Sequence, residues 1–453
     1  MVMTTLSDVA AMLGCPFSGP DAEVLRVATD SRSIRPGDLF VALRGARFDG
    51  GRFAEAALRA GAVGAVLDAT QAPALAGALR VDDTRRALGR LAAAWRERFT
   101  LPVVAITGSN GKTTVKEMLA AILRAHTGDE GAVLATEGNL NNDIGVPLML
   151  LRLRPAHRFA VLEMGMNHAG EIDDLTRLAR PTLALVNNAM RAHLGLLGSI
   201  EAIARAKGEI FNGLGAQGVA LFNADDPHAG LWRDMNRNRT AIGFGLGEAA
   251  DVRGVYQPDD AGGWLAVTAA STRIDVQLRV AGEHNARNAL AAAAAALALG
   301  VAAPHIAAGL AGFAGVKGRF AYVPGIAGST FIDDTYNANP DSVRAALAIL
   351  ARRPGRKILV LGDMGELGDA APALHAEIGA AARSAGVERL FALGPLTREA
   401  VAAFGTGASH YERIEELLAD LENTLAPDTT VLVKGSRAMQ MERVVQSFRE
   451  GDA

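Results

Sequence analysis

Cysteine is nearly absent from this chain of 453 residues, which contains a single thiol at Cys15. One cysteine excludes an intrachain disulfide, and it has no partner for a cysteine-based metal site. The sequence therefore fits a reducing compartment. No early segment combines basic residues with a following apolar run, so we expect no secretory signal and a cytoplasmic protein.

Surplus charge and long apolar runs are also missing. The 46 basic and 49 acidic residues leave a net charge of -3, which gives no electrostatic reason to expect nucleic-acid binding. The longest apolar stretches, including residues 290–299, are rich in alanine and too short to span a bilayer. We therefore expect no nucleic-acid partner and no stable membrane insertion, and a monomer is the expected assembly state.

Strand-like and helix-like patterns alternate along the whole chain, which predicts an α/β fold with mostly parallel sheets. A chain of this length corresponds to two to four domains. We divide it into a small α/β unit over residues 1–100, a central unit with a mostly parallel sheet over residues 101–314, and a doubly wound, Rossmann-like unit over residues 315–453. The third unit lacks a GxGxxG fingerprint after its first strand, so no nicotinamide cofactor is expected.

A glycine-rich turn lies between a predicted buried strand at residues 101–106 and a predicted helix at residues 115–123. Its glycines permit close approach of backbone N–H groups to phosphate, and a lysine and a threonine follow at the helix start. Ile106 stands where the general Walker pattern has its first glycine, so a plain strand-to-helix turn is the alternative. We favour nucleotide phosphate binding by Gly108, Ser109, Asn110, Gly111, Lys112, Thr113 and Thr114.

Other polar residues follow predicted strands or open helices. Glu163 ends the strand-like run that starts at residue 159, and ligands bind at that end of a parallel sheet, so a metal ligand is favoured over a surface acid. Asn285 and Asn288 lie on one face of a predicted helix. One interpretation is that both asparagines bind a ligand base. The other is that Asn285 caps the helix, and the local sequence favours capping for Asn285. His193 and Lys207 carry no signal when each is taken alone.

Several separated motifs together resemble the Mur ligase family, the ATP-dependent amide-forming enzymes of peptidoglycan precursor synthesis. The resemblance covers essentially the whole chain. It is carried by residues 30–32, 36–40, 107–114, 137–147, 163–165, 192–194, 206–211, 284–285, 288–290, 317–319, 334, 336–342, 362–368 and 434–439. The last two stretches are similar to the branch of the family that joins D-alanyl-D-alanine to UDP-N-acetylmuramoyl-tripeptide.

The resemblance implies an N-terminal domain that binds the UDP-sugar, a central ATPase domain and a C-terminal domain that closes over the site. ATP and Mg2+ are the implied cofactors, and UDP-N-acetylmuramoyl-tripeptide and D-alanyl-D-alanine the implied substrates. The implied catalytic residues are Lys112 on the phosphates, Thr113 and Glu163 on one magnesium ion, and His193 and a carbamylated Lys207 on a second. The implied binding residues are Asn285 and Asn288 near adenine, Arg319 and Asp334 near the phosphates and ribose, Ser31 and Arg32 near the uridine diphosphate, Asn139 and Asn141 near the acceptor, and Asp363 and Lys434 at the substrate.

Two places depart from the family pattern. Met190, Arg191 and Gly195 flank His193 where relatives often carry acids, and Arg52 stands where many relatives have histidine. Two other functions are also compatible with the sequence. One is another amide ligase of similar architecture, such as a different Mur ligase or a folylpolyglutamate synthase, and the other is a regulator that senses ATP without forming an amide.

Overall fold

The computed structural model describes residues 2–45, 48–69, 75, 77–259 and 262–451. Helices and strands alternate through these residues, so the predicted α/β class is confirmed. Three large sheets form, and each lies within one of the three predicted segments. The segment boundaries at residues 100 and 314 stay a prediction.

The first segment builds a four-stranded parallel sheet and two short two-stranded ribbons. Its elements are β1 (Thr4–Thr5), α1 (Leu6–Leu13), β2 (Glu23–Val24), β3 (Arg26–Ala28), β4 (Asp38–Val41), β5 (Arg44–Gly45), β6 (Phe48–Asp49), α2 (Ala54–Arg59), β7 (Gly64–Asp68), β8 (Ala78–Val81) and α3 (Thr84–Arg96). The large sheet has the order β3-β4-β7-β8.

The second segment builds a nine-stranded sheet. Its elements are β9 (Val103–Thr107), α4 (Lys112–Thr127), β10 (Val133–Ala135), α5 (Gly145–Leu150), β11 (Phe159–Glu163), α6 (Glu171–Ala179), β12 (Leu183–Val186), α7 (Leu194–Leu197), α8 (Ile200–Gly208), β13 (Val219–Asn223), α9 (Ala229–Met235), β14 (Thr240–Gly245), β15 (Val252–Asp259), β16 (Gly262–Ala269), β17 (Thr272–Leu278), α10 (Glu283–Ala298) and α11 (Ala303–Gly312). The order is β10-β11-β9-β12-β13-β14-β15-β16-β17, parallel up to β15 and antiparallel beyond it.

The third segment builds a six-stranded sheet. Its elements are β18 (Ala321–Pro324), β19 (Thr330–Asp334), α12 (Pro340–Leu350), β20 (Arg356–Gly362), α13 (Ala371–Ser384), β21 (Arg389–Leu393), α14 (Arg398–Phe404), β22 (Ala408–Tyr411), α15 (Ile414–Glu422), β23 (Thr429–Lys434) and α16 (Glu442–Phe448). The order is β18-β19-β23-β20-β21-β22, with β18 antiparallel. The doubly wound arrangement is as predicted, although this order differs from the 3-2-1-4-5-6 order of a dinucleotide-binding sheet.

Packing places β9 at the heart of the central unit. Its five residues are all buried, and β11 and β12 flank it on either side. On one face, the alanines of α10 are buried, and their small size lets that helix pack closely on the sheet. On the other face, α3 of the first segment shares the core, and Trp95 Nε1 donates to the carbonyl of Leu153 at 3.2 Å. The carboxyl ends of β9, β11 and β12 therefore form one rigid edge.

Among the residues that the structure describes, no helix is both long enough and apolar enough to cross a membrane.

Candidate active site

A cavity of about 460 Å³ lies where the carboxyl edge of the central sheet faces the C-terminal unit. Loops after β9, β11 and β12 line it from one side, and the loop after β19 and the last residue of β23 line it from the other. Of the residues predicted from the sequence, it is lined by Ser109, Asn110, Gly111, Lys112, Thr114, Asn139, Asn141, Glu163, His193, Asn285, Asn288, Arg319, Asp334 and Lys434. Residues that are distant in the chain thus share one cavity.

The glycine-rich turn joins β9 directly to α4, as predicted. Gly111 has a φ of 81°, and a Cβ there would lie 2.3 Å from Asn288 Oδ1, so the position accepts only glycine. Because α4 begins at Lys112, the first N–H groups of the helix lack intrahelical acceptors and favour an anion. Burial, reinforced by the charge of Arg319, lowers the pKa of Lys112, while Glu163 opposes that shift. The Lys112 ammonium donates to the carbonyl of Gly108 at 2.8 Å.

Two asparagines after β12 hold this turn, and sequence reasoning did not assign them a role. Asn188 accepts from the N–H of Asn110 through Oδ1 at 2.9 Å, and its carbonyl accepts from the N–H of Ser109 at 3.0 Å. Asn187 Nδ2 donates to the carbonyl of Asn110 and to Asn288 Oδ1, each at 2.9 Å. Two of the N–H groups expected at phosphate are therefore already bonded, which leaves the start of α4 for that role. The sequence signal that could have identified Asn187 and Asn188 is their position at the end of a buried strand.

Glu163 is buried at the end of β11 and has two side-chain partners. Its Oε2 accepts from the Thr113 hydroxyl at 2.7 Å, and its Oε1 accepts from Asn141 Nδ2 at 2.8 Å. The same hydroxyl accepts from Arg319 Nη2 at 2.9 Å. A hydroxyl and a carboxylate side by side offer the oxygen ligands that magnesium prefers, so these residues fit the ion predicted there.

Lys207 lies on α8 with only 1% of its surface exposed. Among the described residues, no hydrogen-bond acceptor or carboxylate pairs with its amine. Burial above all, and secondarily the charge of Lys112, lowers the pKa of Lys207 well below its ordinary value. The side chain therefore suits an uncharged amine or a modified one better than a solvated ammonium.

His193 is the N-cap residue of α7, and its φ of 62° lies in the left-handed region. Its Nδ1 lies 2.6 Å from Oε2 of Glu366, which stands on the loop after β20. The contact with His193 is the main cause that lowers the pKa of Glu366, and the charge of Lys112 adds to it. The short distance between nitrogen and oxygen identifies this contact, since the alignment of the two groups is poorer than that of a standard hydrogen bond. Glu366 was not predicted as a site residue.

The donor set for a second metal ion is incomplete as the chain stands. Within the described part of the chain, no group of three or more histidine, cysteine, aspartate and glutamate side chains is arranged to hold a metal ion. An amine is also a poor ligand for magnesium, which prefers oxygen. His193 and Lys207 therefore fit a second ion only if Lys207 carries the predicted carbamate.

The asparagine pair on α10 lines the cavity and does not cap the helix. Gly282 occupies the N-cap position, and Asn285 Nδ2 donates to the carbonyl of Ala281 at 2.9 Å. The capping interpretation of Asn285 is therefore wrong, because its amide donates where a cap must accept. Both Asn285 and Asn288 line the cavity.

The C-terminal unit contributes charged groups to the cavity. Lys434, buried at the end of β23, lies 2.6 Å from Oδ2 of Asp334 and donates to the carbonyl of Asn337 at 3.1 Å. Arg319 places its guanidinium 4.2 Å from the ring centre of Tyr336, a cation–π contact. Both cations are therefore held in place before any ligand binds.

Three predicted substrate residues lie away from the cavity lining. Ser31 and Arg32 form a short helical turn in the first segment, and the exposed Arg32 pairs with Asp30 at 2.7 Å. Asp363 Oδ1 accepts from the backbone N–H groups of Leu396 and Thr397, each at 3.0 Å. The Asp363 carboxylate is thus bonded to backbone within its own unit. Substrate binding by Ser31, Arg32 and Asp363 stays a prediction.

An ion-pair cluster joins the central and C-terminal units beside the cavity. Arg191 Nη2 lies 2.6 Å from Oδ1 of Asp341, and its Nη1 lies 3.0 Å from Oε2 of Glu377. Close by, Asn339 Nδ2 donates to Asn110 Oδ1 at 2.7 Å. The sequence marked Arg191 only as a departure from the family, since its acidic partners are about 150 and 186 positions away.

The three-unit fold and the comparisons with known proteins together define an ATP-dependent amide-forming ligase. Three family models match: Mur ligase family, catalytic domain, at residues 23–96; Mur ligase middle domain at residues 106–296; and Mur ligase, glutamate ligase domain, at residues 318–437. The chain belongs to the Mur ligase family, as the resemblance predicted.

Relatives match over nearly the whole length. The UDP-N-acetylmuramoyl-tripeptide–D-alanyl-D-alanine ligase of Escherichia coli (strain K12) is 42% identical, covering 99% of both chains. A crystal structure of MurF from Acinetobacter baumannii has a TM-score of 0.91 and 37% identity over 98% of both chains. The MurF ligase of Thermotoga maritima in complex with ADP has a TM-score of 0.82 and 29% identity over 93% of this chain and 96% of its own.

Proposed function

We propose that this protein is the cytoplasmic ATP-dependent ligase that joins D-alanyl-D-alanine to UDP-N-acetylmuramoyl-tripeptide, a step of peptidoglycan precursor synthesis. The names of its full-length relatives support the substrates. One structural observation carries the chemistry: Lys112, Glu163, His193 and Lys434, from both sides of the interface between units, line a single cavity.

The reaction must activate a carboxylate, whose carbon is a poor electrophile. In the proposed path a carboxylate oxygen of the tripeptide attacks the γ-phosphorus of ATP, the bond to the ADP oxygen breaks, and an acyl phosphate forms. The dipeptide amine then attacks the carbonyl carbon, loses a proton, and expels inorganic phosphate. Catalysis of such a transfer depends on positioning and charge neutralisation, which Lys112, Arg319 and the start of α4 supply from this chain.

Thr113 and Glu163 would hold one magnesium ion, which neutralises phosphate charge when bound. Lys207 would carry a carbamate: its uncharged amine forms a bond to the carbon of carbon dioxide and releases a proton. The lowered pKa of Lys207 and the lack of a described partner for its amine support this modification. The product is an anionic oxygen ligand that, with His193, suits a second ion.

The remaining roles belong to the same proposal. Asn285 and Asn288 would contact adenine, Arg319 and Asp334 the phosphates and ribose, and Asn139 and Asn141 the acceptor, which their positions at the cavity support. Ser31 and Arg32 would bind the uridine diphosphate, and Asp363 and Lys434 would serve the substrate at the C-terminal unit. Of these, Asp363 has the least structural support, because its carboxylate already bonds two backbone N–H groups.

A coupled phosphate-release assay tests the proposal. Purified protein receives ATP, magnesium, UDP-N-acetylmuramoyl-tripeptide and D-alanyl-D-alanine, and each component is omitted in turn. We expect phosphate release only from the complete mixture, and replacement of the dipeptide by single amino acids should abolish it. Release without either joining partner, or none from the complete mixture, contradicts the proposed function.

The same assay separates the two alternatives. Folylpolyglutamate synthase of Mycobacterium tuberculosis shares the fold at a TM-score of 0.63 and 18% identity, which speaks for architecture alone. A different amide ligase would prefer a single amino acid as its amine donor. A regulator that senses ATP would show no release that depends on both joining partners.

A further inference from the structure

We propose that Glu366 is a positioning residue for His193, supplied by the C-terminal unit, so that the His193 side of the site is complete only when that unit is docked. The inference rests on the proposed ligase function. It assigns a role to the loop at residues 362–368, a motif singled out from the sequence whose Asp363 turns out to have backbone partners instead.

The contact leaves one ring nitrogen free for chemistry. Nδ1 of His193 is buried 2.6 Å from Oε2 of Glu366, and the described residues offer that nitrogen no other partner. A carboxylate oxygen at this distance repels the lone pair of an imidazole nitrogen, so it favours the tautomer that carries its proton on Nδ1. Nε2 then keeps its lone pair, as a ligand of an ion must. Carboxylates that orient histidine ligands in this way recur at metal centres.

The backbone of both loops is shaped around this contact. His193 and Glu366 both have φ values in the left-handed region, 62° and 63°, which is costly for residues other than glycine. The N–H of Gly195 donates to the carbonyl of Glu366 at 3.0 Å. A Cβ on Gly195 would lie 2.4 Å from the backbone nitrogen of Gly368, so the loops touch closely. Two strained residues that meet across an interface indicate a functional contact rather than incidental packing.

The C-terminal unit fixes the base of the Glu366 loop independently of the central unit. The buried His375 accepts from the N–H of Met364 through Nε2 at 3.0 Å. Asp363 binds the turn at residues 395–397. Since the loop is anchored from behind, docking of the unit delivers the Glu366 carboxylate to His193 in one defined position.

The test compares three full-length variants with the wild type. Glu366→Ala removes the acceptor, Glu366→Gln keeps an acceptor oxygen without the charge, and Glu412→Gln is a matched control at an exposed glutamate of the same unit. The first measurement is 15N and 1H NMR of histidine-labelled protein with a non-hydrolysable ATP analogue, in which His193→Gln identifies one signal among nine histidines. The second is kcat, and KM for ATP, by phosphate release.

In the wild type we expect the His193 proton on Nδ1, with a strongly downfield resonance. Glu366→Ala should lose that tautomer and lower kcat by about 10- to 100-fold, the usual effect of removing an orienting partner, with KM for ATP within about threefold. Glu366→Gln should move the proton resonance upfield and recover part of kcat. Glu412→Gln should match the wild type in both measurements.

An unchanged His193 tautomer in Glu366→Ala, or kinetics of that variant equal to those of Glu412→Gln, overturns the inference. Should Glu366→Ala not fold, Glu366→Gln decides alone, because an unmoved His193 resonance there also overturns it. The NMR measurement needs no turnover. A wild type that releases no phosphate would therefore reject the proposed function and leave the test of Glu366 standing.

Discussion

Two lysine side chains of the site differ in burial, since Lys207 is buried and Lys112 is half-buried. Loss of solvent is the main cause that lowers the pKa of each, and the charge of Lys112 lowers the pKa of Lys207 further. The Lys207 amine therefore loses its proton more readily than an exposed lysine does. Among the described residues, Glu163 is the carboxylate that the Thr113 hydroxyl contacts directly.

Lys112→Ala should lower kcat/KM for phosphate release by roughly 3 kcal/mol or more of transition-state stabilisation, because it removes a preorganised charge at the phosphates. Lys357→Ala is the matched control, because it removes a lysine of the C-terminal unit that does not line the cavity. It should leave the rate unchanged. Near-normal turnover of Lys112→Ala in the complete assay would remove this residue from the mechanism.

Lys207→Ala should abolish activity, and short carboxylic acids added to the assay should restore part of it by replacing the carbamate oxygen atoms. In the wild type, removal of dissolved carbon dioxide should lower the rate reversibly, since the modification needs that reactant. Mass spectrometry of trapped carbamate on the peptide containing Lys207 gives an independent readout. A wild-type rate that is indifferent to carbon dioxide, together with no trapped adduct, argues against the modification.

Elements position these side chains through contacts with other loops and helices of the same segment. The turn before α4 is held by residues after β12, and the loop after β20 is held by α13. His375 of α13 is buried and neutral, with Nδ1 against the carbonyl of Ala371 at 2.7 Å and Nε2 accepting from Met364. Burial is the main cause that lowers the pKa of His375.

The lowered pKa of His375 determines the direction in which the free energy of unfolding changes with pH. Because the folded pKa lies below the unfolded value of 6.5, the unfolded state binds more protons in the window below 6.5, and stability falls as the pH falls through it. The slope is at most about 1.4 kcal/mol per pH unit for one group. His375→Gln should flatten the urea-unfolding free energy between about pH 6.5 and 5 relative to the wild type.

A matched substitution of an exposed histidine, His168→Gln, should keep the wild-type pH dependence, since His168 is mostly solvent-exposed. If His375→Gln and the wild type lose stability in parallel over that window, then protonation of His375 does not govern the acid side of the stability curve.

At the scale of the whole molecule, the active site is shared between units. The first and central segments are joined by a common core, whereas the C-terminal unit meets the central one partly through polar contacts at the cavity. Polar interfaces between domains permit relative motion. Arg191 is the residue that bridges this interface with the most ion pairs in the described contacts.

Arg191→Ala should loosen the docking of the C-terminal unit by about 1.5–3 kcal/mol, the usual range for hydrogen bonds to charged groups. We expect a larger radius of gyration by small-angle X-ray scattering and raised KM values for all substrates. Arg398→Ala, which removes a surface pair with Glu412 within the C-terminal unit, is the control. Unchanged scattering and kinetics in Arg191→Ala would mean that apolar contacts alone hold the interface.

The sequence alone determined the structural features that depend on residues close to one another in the chain. The α/β alternation, the turn carrying Lys112 and the acid at the end of β11 were predictable, because a buried strand, a glycine bend and a helix start are written in contiguous residues. Resemblance to a family then connected Lys207, His193 and Arg319, which local patterns leave without a role.

Only the tertiary structure decided which distant residues meet. Asn187 and Asn188 bond the glycine-rich turn before α4, Glu366 reaches His193, and Asp341 and Glu377 meet Arg191. These contacts depend on strand order and on the docking of the C-terminal unit. The helix cap expected at Asn285 was wrong for the same reason. The backbone around Gly282 sets where that helix starts, and the direction of a side-chain hydrogen bond follows from the surrounding packing, which a local pattern does not encode.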